Sequence, residues 1–302
     1  MYNNANRLAL TERMLERRAP VLPHEFHCSQ TRRKICFDVY HGDKLGLYLS
    51  GNKILKLAPN IHDYLSGQDQ QLPLATFGGS YSNHLRAYSA LTRMLRIRAL
   101  AFVRESPKGT HLPLVKTMTQ RGVQVHLLSP EDFKHRESPQ FLSNLVQTHG
   151  SFHLITEGGT SPSSVRHIAE VFAPLRGKYT HAFVPVGLGG TLAGVAAGLG
   201  ASTKVIGVSA LKSDFTLTDR VKAVLGEAEI IDPNNWAIDY GYHFGGFGKT
   251  KPELLNFADT FQKQTQIELY ATYTMKSAYA MIEYAKQGKL GSALWVNTFN
   301  PV

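Results

Sequence analysis

Short apolar runs of strand length alternate along the chain with longer segments that carry apolar residues at helical spacing. The apolar runs 74–78, 99–103 and 123–127 alternate with helix-like segments at 85–98 and 113–120. Strands that alternate with helices are typical of a parallel sheet whose two faces are covered by helices. The pattern therefore predicts an α/β protein.

The same pattern extends towards both ends of the chain. The first twenty residues predict a short amphipathic helix, and two β-like runs flank the polar turn 41–44 before a helix that begins near Asn52. A less regular region follows residue 209 and includes the glycine- and aromatic-rich stretch 235–248. The other predicted elements are strands at 182–186, 204–209 and 293–298 and helices at 165–175, at 192–198 and from the end of the stretch 267–276 to about 288.

Three of the predicted strands end in glycine-rich turns that open directly into helices. These turns are Gly78-Gly79, Gly158-Gly159 and Gly187-Leu188-Gly189-Gly190-Thr191. Open α/β sheets bind ligands at the carboxyl ends of their strands. Three such turns therefore predict one cleft in which several strand ends face a single bound molecule.

The turn from Gly187 to Thr191 has the features of an anion site. Glycines allow close backbone approach, and the N-terminus of the following helix offers N–H groups and a favourable dipole to a phosphate. Thr191 adds a hydroxyl donor. The turn is not a Walker A loop, because no lysine follows the glycines, and Leu192 breaks the dinucleotide-binding pattern. A tight turn without a ligand is the alternative.

Two further groups of polar residues stand next to predicted turns. Lys53 follows Gly51-Asn52 at a helix start, where the helix dipole would lower the pKa of its amine and favour Schiff-base chemistry. A surface lysine is the alternative. Four polar side chains also follow the first glycine pair, where capping of the helix is the alternative role for the serine. They are Tyr81, Ser82, Asn83 and His84.

Composition describes a soluble globular protein with room for two lobes. The 302 residues are 43% hydrophobic and 19% charged, and no apolar run reaches the length of a membrane span. The N-terminus lacks the apolar core of a signal peptide. Cys28 and Cys36 show neither metal nor redox spacing, so we expect a cytoplasmic protein without a bound metal.

A net charge of +10 raises the question of a nucleic-acid partner. The basic residues are dispersed, and the chain has no RNA-binding aromatic motif and no zinc-finger spacing. We therefore interpret the charge as a solvated basic surface and expect neither a nucleic-acid nor a membrane partner.

Taken together, four motifs resemble one family in order and spacing, from about Cys36 to the C-terminus. The family is the pyridoxal-phosphate-dependent group of 1-aminocyclopropane-1-carboxylate deaminase and D-cysteine desulfhydrase, within the fold of the tryptophan synthase β-subunit. The motifs are Ser50-Gly51-Asn52-Lys53-x-x-Lys56-Leu57, Gly78-Gly79-x-x-Ser82-Asn83-His84-x-Arg86, Glu157-Gly158-Gly159-Thr160 and Gly187-x-Gly189-Gly190-Thr191-x-Ala193-Gly194.

The resemblance implies two lobes with open, twisted parallel sheets and pyridoxal 5′-phosphate in the cleft between them. The larger lobe would comprise 1–57 and 166–302, and the smaller, inserted lobe 58–165. It also implies a homodimer that acts on a small amino-acid substrate.

The resemblance further implies a role for each matching residue. Lys53 would carry the cofactor covalently, Asn83 would bind the 3′-oxygen of its ring, and Thr274 would meet the pyridine nitrogen. Gly187, Leu188, Gly189, Gly190 and Thr191 would hold the phosphate. Ser82 and Tyr273 would join Lys53 in catalysis. The substrate-binding residues would be Ser82, Asn83, His84, Phe247 and Tyr273.

Several residues depart from the family pattern and bear on the choice of substrate. Leu55 replaces a usual arginine, and Phe247 replaces a common tyrosine and so lacks a hydroxyl. Met275 and Phe299-Asn300 replace glycines expected near the ring. Cofactor binding is compatible with all of these changes.

The implied activity is α,β-elimination from D-cysteine or a similar β-substituted amino acid, which yields pyruvate, ammonia and sulfide. A hydroxyl at Thr274 cannot hold a proton on the pyridine nitrogen as a carboxylate can, so we expect elimination rather than opening of the cyclopropane ring. Ring opening to 2-oxobutyrate and ammonia is one alternative. A homologue that binds the cofactor without turnover is the other.

Overall fold

A computed structural model describes residues 4–46, 51–106, 108–212 and 216–298. The chain divides into two units, which we describe separately. Unit 1 comprises Met1–Arg17 and Leu47–Ser164, and unit 2 comprises Arg18–Gly46 and Val165–Val302. Ser50, from the first of the four motifs, and Phe299-Asn300, from the departures from the family pattern, lie outside the described residues.

The helices of the described chain are α1 (Asn4–Leu15), α2 (Lys53–Ser66), α3 (Asn83–Met94), α4 (Leu112–Gln120), α5 (Pro130–Lys134), α6 (Pro139–His149), α7 (Pro162–Phe172), α8 (Gly190–Leu199), α9 (Leu217–Glu227), α10 (Pro252–Thr265) and α11 (Thr274–Lys286). The strands are β1 (Val21–Cys28), β2 (Arg33–His41), β3 (Leu74–Gly78), β4 (Ala99–Arg104), β5 (Val123–Leu128), β6 (His153–Ile155), β7 (His181–Val186), β8 (Lys204–Ser209), β9 (Trp236–Asp239) and β10 (Ala293–Asn297).

Unit 1 contains a parallel sheet in the order β5-β4-β3-β6. Every residue of β3 is buried, which explains why this strand is a continuous apolar run rather than an alternating one. Phe77 and Phe102 stack at its centre, with ring centroids 5.2 Å apart. The buried Tyr88 of α3 donates its hydroxyl to the carbonyl oxygen of Leu74 at 2.6 Å and so ties the helix to the sheet.

Unit 2 contains a six-stranded sheet in the order β1-β2-β10-β7-β8-β9. Strand β1 pairs antiparallel with β2, and the other pairs are parallel. The core lies between this sheet and helices α10 and α11 and includes Phe183, Phe261, Met281 and Trp295. Trp295 is fully buried and donates its indole N–H to the hydroxyl of Ser277 on α11 at 3.0 Å.

These two sheets confirm the predicted α/β class with parallel sheets, and the strands predicted at 74–78, 99–103, 182–186 and 204–209 are present with nearly the same bounds. The less regular region predicted after residue 209 is partly wrong, because it contains α9, β9 and α10. The apolar positions of α9 do repeat at helical spacing, and they are buried. They are Leu217, Val221, Val224 and Leu225.

The division into units differs from the predicted lobes on the amino-terminal side. Residues 1–17 and 47–57 belong to unit 1, whereas the resemblance assigned them to the larger lobe. The reason is local packing: α1 packs against α2, and Asn4 donates its side-chain amide to the carbonyl oxygen of Leu65 at 3.0 Å. The second boundary, after Ser164, lies one residue from the predicted one.

None of the described helices has both the length and the apolar character that a membrane crossing requires.

Candidate functional site

Lys53 is the first residue of α2, at the helix start that the sequence predicts. Its side chain is partly exposed, and its pKa is lowered to about 8. Burial is the cause of this shift, because a charged amine that is removed from water loses its hydration. The negative charge of Glu157 acts in the opposite direction. A lowered pKa agrees with the prediction from the sequence. The prediction gave the helix dipole as the cause, whereas in the structure the cause is burial.

Lys56 lies one turn further along α2 and is fully enclosed, with 3% of its surface exposed. Its amine donates to the hydroxyl of Thr160 at 2.7 Å. Burial lowers the pKa of Lys56 well below its usual value, and the neighbouring charge of Lys53 lowers it further. The two lysines therefore lie close together, but the side chain of Lys53 is partly exposed to solvent and that of Lys56 is not.

The third glycine turn supplies the acidic group near these lysines. Glu157 is held by Arg136, whose Nε lies 2.7 Å from a carboxylate oxygen of Glu157. Gly158 and Gly159 follow with φ angles of 73° and 69°, a backbone conformation that glycine adopts without strain. A Cβ at Gly159 would lie 3.4 Å from the side chains of His84 and Lys56. The turn thus packs directly on the residues beside Lys53.

Ser82 and Asn83 stand at the start of α3. The hydroxyl of Ser82 accepts a hydrogen bond from the backbone N–H of Leu85 at 3.2 Å, so it caps the helix, as the alternative interpretation held. Asn83 is the first helical residue and is partly exposed. Tyr81 is more than half exposed. Ser82 and Asn83 therefore remain accessible at the carboxyl end of β3.

His84 is buried, with 2% of its surface exposed. Its Nε2 lies 2.7 Å from the hydroxyl of Thr76, and that hydroxyl donates to the carbonyl oxygen of Ile155. Nε2 must therefore carry the hydrogen of the bond to Thr76. Burial, followed by the charges of Lys53 and Lys56, lowers the pKa of His84 well below its usual value.

The ring of His84 is consequently neutral, with Nδ1 as a hydrogen-bond acceptor. Nδ1 is buried and has no hydrogen-bond partner within the described residues. The sequence predicts that His84 contacts the substrate. The structure places it inside unit 1, beside the lysines.

The phosphate-type turn of unit 2 joins β7 to α8. Gly189 is the N-cap of α8 and has a φ of 87°, and a Cβ there would lie 2.7 Å from the side chain of Val221. Both the backbone conformation and the neighbouring side chain therefore require glycine. Gly190 and Thr191 form the first turn of the helix, whose positive dipole end favours an anion.

Tyr273 lies next to this turn. A Cβ at Gly187 would be only 2.9 Å from the hydroxyl oxygen of Tyr273, so the tyrosine packs against the backbone of the turn. Helix α11 begins with Thr274, whose hydroxyl accepts the N–H of Tyr270 at 2.7 Å. The same hydroxyl donates to the carbonyl oxygen of Tyr270 over a longer distance, 3.5 Å.

The departures from the family pattern have distinct surroundings. Leu55 and Met275 are buried, and Met275 packs in the core of unit 2. Phe247 is 43% exposed, and its ring contacts that of Tyr273 nearly at right angles, with centroids 5.7 Å apart. Phe247 thus borders the predicted site residue Tyr273 with an exposed ring.

Each unit therefore gathers part of the predicted set. Unit 1 brings Lys53, His84 and the Glu157 turn together, and unit 2 brings the turn after β7 together with Tyr273, Thr274 and Phe247. Sequence reasoning assigned no role to Glu157 or to the buried Lys276. For Lys276, the signal was a lysine between the apolar positions Met275 and Ala278 on the inner face of α11.

No protein-family model matches the chain. A protein of Pyrococcus horikoshii named "Putative 1-aminocyclopropane-1-carboxylate deaminase" is 28% identical over 279 residues, which cover 87% of this chain and 84% of the relative. A protein of the same name from Pyrococcus abyssi is 27% identical over 288 residues, 88% of this chain and 85% of the relative.

Solved structures share the fold. The crystal structure of an ACC deaminase homologue has a TM-score of 0.79 at 22% identity and covers 97% of this chain and 94% of its own. A hydrogen sulfide-producing enzyme of Fusobacterium nucleatum has a TM-score of 0.68 at 13% identity, with coverage of 98% and 89%. A pyridoxal 5′-phosphate-dependent aspartate racemase has a TM-score of 0.64 at 12% identity, with coverage of 99% and 95%.

These findings confirm the resemblance that the four motifs indicate: over most of its length the chain is similar to proteins named as 1-aminocyclopropane-1-carboxylate deaminases, and it has the fold of pyridoxal-phosphate-dependent enzymes.

Proposed function

We propose that the protein is a pyridoxal-phosphate-dependent lyase that performs α,β-elimination on D-cysteine or a similar β-substituted amino acid. The observation that carries the proposal is Lys53, a partly exposed lysine at a helix start whose pKa burial lowers to about 8. An amine with this pKa has a substantial neutral fraction near physiological pH, and the neutral form can attack an aldehyde, as covalent attachment of this cofactor requires.

The remaining residues have the chemistry that the cofactor requires. Gly189 and its neighbours lie at the N-terminus of α8, where the helix dipole favours an anion such as a phosphate. Because Gly189 has no side chain, the anion can approach the backbone closely. Asn83, accessible at the start of α3, offers an amide donor to a ring oxygen. Nδ1 of His84, which has no partner within the described residues, is able to accept a hydrogen bond inside unit 1, and burial together with the charges of Lys53 and Lys56 lowers the pKa of the ring.

When bound, pyridoxal phosphate withdraws electrons from the α-carbon of the attached amino acid and so weakens its bond to hydrogen. The chain supplies the groups that move and hold protons. The neutral amine of Lys53 is the base for the α-proton, and Ser82 orients the substrate carboxylate. The hydroxyl of Tyr273 is the candidate donor to the leaving thiolate.

Thr274 favours elimination over reactions that build up charge at the α-carbon. Its hydroxyl already accepts the N–H of Tyr270, and its own hydrogen has only the 3.5 Å contact with the Tyr270 oxygen. Thr274 is fully buried, and where a pyridine nitrogen reaches it, its hydroxyl would exchange this long contact for a hydrogen bond donated to the unprotonated nitrogen. Because a threonine hydroxyl would not hold a proton on that nitrogen as a carboxylate would, we expect substrates with a good leaving group to react best.

Opening of the 1-aminocyclopropane-1-carboxylate ring is the second candidate, because the curated relatives carry the name of that activity. The fold likeness to a hydrogen sulfide-producing enzyme supports elimination instead. The two reactions give different keto acids, so one assay separates them.

In the experiment, the protein is first loaded with pyridoxal phosphate and then incubated separately with D-cysteine, L-cysteine, β-chloro-D-alanine and 1-aminocyclopropane-1-carboxylate. The products measured are pyruvate, 2-oxobutyrate, sulfide and ammonia. We expect kcat/KM for a β-substituted substrate to exceed that for the cyclopropane by a factor of 100 or more, about 2.7 kcal/mol of transition-state stabilisation. The Lys53→Ala variant is the control. Comparable 2-oxobutyrate production would favour the second candidate, and a coloured protein without any product would reject both.

A further inference from the structure

Lys276 is fully buried on α11, yet the mechanism above assigns it no task. Its ammonium donates to the carbonyl oxygen of Gly246 at 2.6 Å and to that of Ala210 at 3.3 Å. A buried lysine is costly to a fold unless its polar head is satisfied. The two carbonyl groups satisfy the ammonium of Lys276, which thereby links α11 to the two segments that carry them.

The segment 242–247, which we call the aromatic strap, follows one face of α11. The rings of Tyr242 and Phe244 contact Tyr279 at centroid distances of 6.0 and 5.0 Å, and Phe247 contacts Tyr273 at 5.7 Å. The three contact points are residue 273, the N-cap directly before α11, and residues 276 and 279 on the helix. A spacing of three places them on the same face, with Lys276 in the middle.

The strap has a backbone conformation that needs support. Phe244, Gly245 and Gly246 have φ angles of 49°, 99° and 109° in succession. The value at Phe244 is unfavourable for a residue with a side chain, and such conformations persist where surrounding contacts enforce them. The bond from Lys276 to Gly246 is a charge-assisted contact at the end of this run.

The second acceptor connects the strap to the sheet edge. Ala210 follows β8, and its N–H donates to the carbonyl oxygen of Val186 at 3.0 Å. Val186 is the last residue of β7 and directly precedes Gly187. A Cβ at Gly246 would lie 3.6 Å from the side chain of Lys212, so the strap also packs on the segment after β8. Lys276 thus joins α11, the strap and the end of β8.

We infer that Lys276 is a positioning residue, which clasps the aromatic strap onto α11 and so fixes Phe247 against Tyr273. The clasp itself is a property of unit 2, whereas its effect on substrate rests on the proposed function. An exposed Phe247 ring that is held on Tyr273 restricts the space beside the proposed proton donor. A released strap would leave the Phe247 ring free to move away from Tyr273, which still packs on the turn at Gly187.

Hydrogen exchange of the apoprotein tests the clasp without any activity. Lys276→Met keeps the length of the side chain and removes the donor, Lys276→Arg keeps the charge and the donors, and Ile282→Val changes another buried position of α11. We expect Lys276→Met to raise the exchange rates of amides in 242–249 at least ten-fold, with those of β7 and β10 unchanged. Lys276→Arg should restore protection, and Ile282→Val should leave the strap protected.

Two results would overturn the inference. Exchange in the strap that stays as slow in Lys276→Met as in the wild type would show that the bond does not hold it. An equal rise in β7, β10 and the strap would assign Lys276 to the stability of the whole unit. Failure of both Lys276→Met and Lys276→Gln to fold has the same meaning and also contradicts a local clasp.

The effect on the site is measured separately. In protein loaded with pyridoxal phosphate, Lys276→Met should keep the cofactor on Lys53, as borohydride trapping and peptide mapping show. We expect KM for the β-substituted substrate to rise about ten-fold, with a smaller change in kcat. An unchanged KM with a released strap would reject the positioning role. A wild-type protein that binds no cofactor would reject the proposed function, and the exchange result would still decide the clasp.

Discussion

Lys53 and Lys56 lie one turn apart on α2 and have very different access. Burial lowers the pKa of both amines, but Lys56 is enclosed and donates to Thr160, whereas Lys53 is partly exposed. A nucleophile needs a free electron pair and a path for its substrate. Of the two amines, Lys53 meets both conditions.

We therefore expect pyridoxal phosphate added to the apoprotein to be fixed by borohydride on Lys53, at a rate that rises with pH around a midpoint near 8. The neutral amine is the reactive form, and it dominates above the pKa, which is about 8 here against 10.5 for an ordinary lysine. Rapid-mixing absorbance and tandem mass spectrometry measure the rate and the site. The Lys56→Met variant should still be labelled on Lys53. A label on Lys56, or a midpoint above 10, would contradict the assignment.

The position of Lys53 could be predicted from the sequence, but its surroundings could not. Gly51-Asn52 before an apolar helical pattern marks a helix start within a few residues along the chain. Burial of the amine depends on packing in the folded unit, and the opposing charge comes from Glu157, more than a hundred residues away. The orientation of His84 likewise depends on Thr76 and Ile155, which lie on two different strands.

At the scale of elements, α8 shows two uses of glycine. Gly189 is needed for the turn, as the sequence predicts. Gly194 and Gly198 are needed for packing, because a Cβ at Gly194 would lie 2.5 Å from Cβ of Ile168 on α7 and one at Gly198 2.5 Å from the carbonyl oxygen of Ala169. The pattern of small residues predicts the helix correctly. Small residues are needed at these positions because α7 packs closely against α8.

Gly198→Ala should destabilise unit 2 by about 1–3 kcal/mol, since the added methyl group overpacks the contact with α7. Helix propensity alone would favour alanine by about 1 kcal/mol. Gly226 on α9 is the matched control, because a Cβ there meets nothing within 4 Å. Both tryptophans, Trp236 and Trp295, lie in unit 2, so urea unfolding followed by tryptophan fluorescence reports on it. A Gly198→Ala protein as stable as Gly226→Ala would contradict the packing argument.

At the scale of the whole molecule, Lys276 couples the stability of the fold to pH. Burial lowers its pKa to about 8, while an unfolded chain has 10.5. Between these values the unfolded state binds more protons than the folded one, so this group makes stability rise with pH. Tyr40 and Tyr284 act in the opposite sense above pH 10, because their pKa values are raised to about 12 and the stability they contribute is lost there.

The free energy of unfolding of unit 2 should therefore contain a contribution that grows between pH 8 and 9.5, by at most about 1.4 kcal/mol per pH unit. The Lys276→Met variant should lack this contribution, so the difference between wild type and variant should increase with pH. Urea unfolding at pH 7, 8, 9 and 9.5 measures it, with Lys289→Met, at an exposed position, as the control. A difference that is constant over this range would contradict the lowered pKa.

The α/β class and most strands of both sheets could be predicted because buried parallel strands are continuous apolar runs. The order of the strands could not, since it depends on contacts between distant parts of the chain. The same holds for the first seventeen residues: their helical pattern is visible, but the partner that assigns α1 to unit 1 is α2, about fifty residues later.

The place of β10 has a consequence for synthesis. This strand lies between β2 and β7, yet it follows every other strand of its sheet along the chain. On the ribosome the sheet of unit 2 stays in two separate pieces until residue 297 has emerged, whereas the strands of unit 1 are all present once residue 155 has. The nascent chain therefore leaves the backbone edge of β2 unpaired from residue 41 onwards and that of β7 from residue 186 onwards, and such edges are prone to pair with wrong partners.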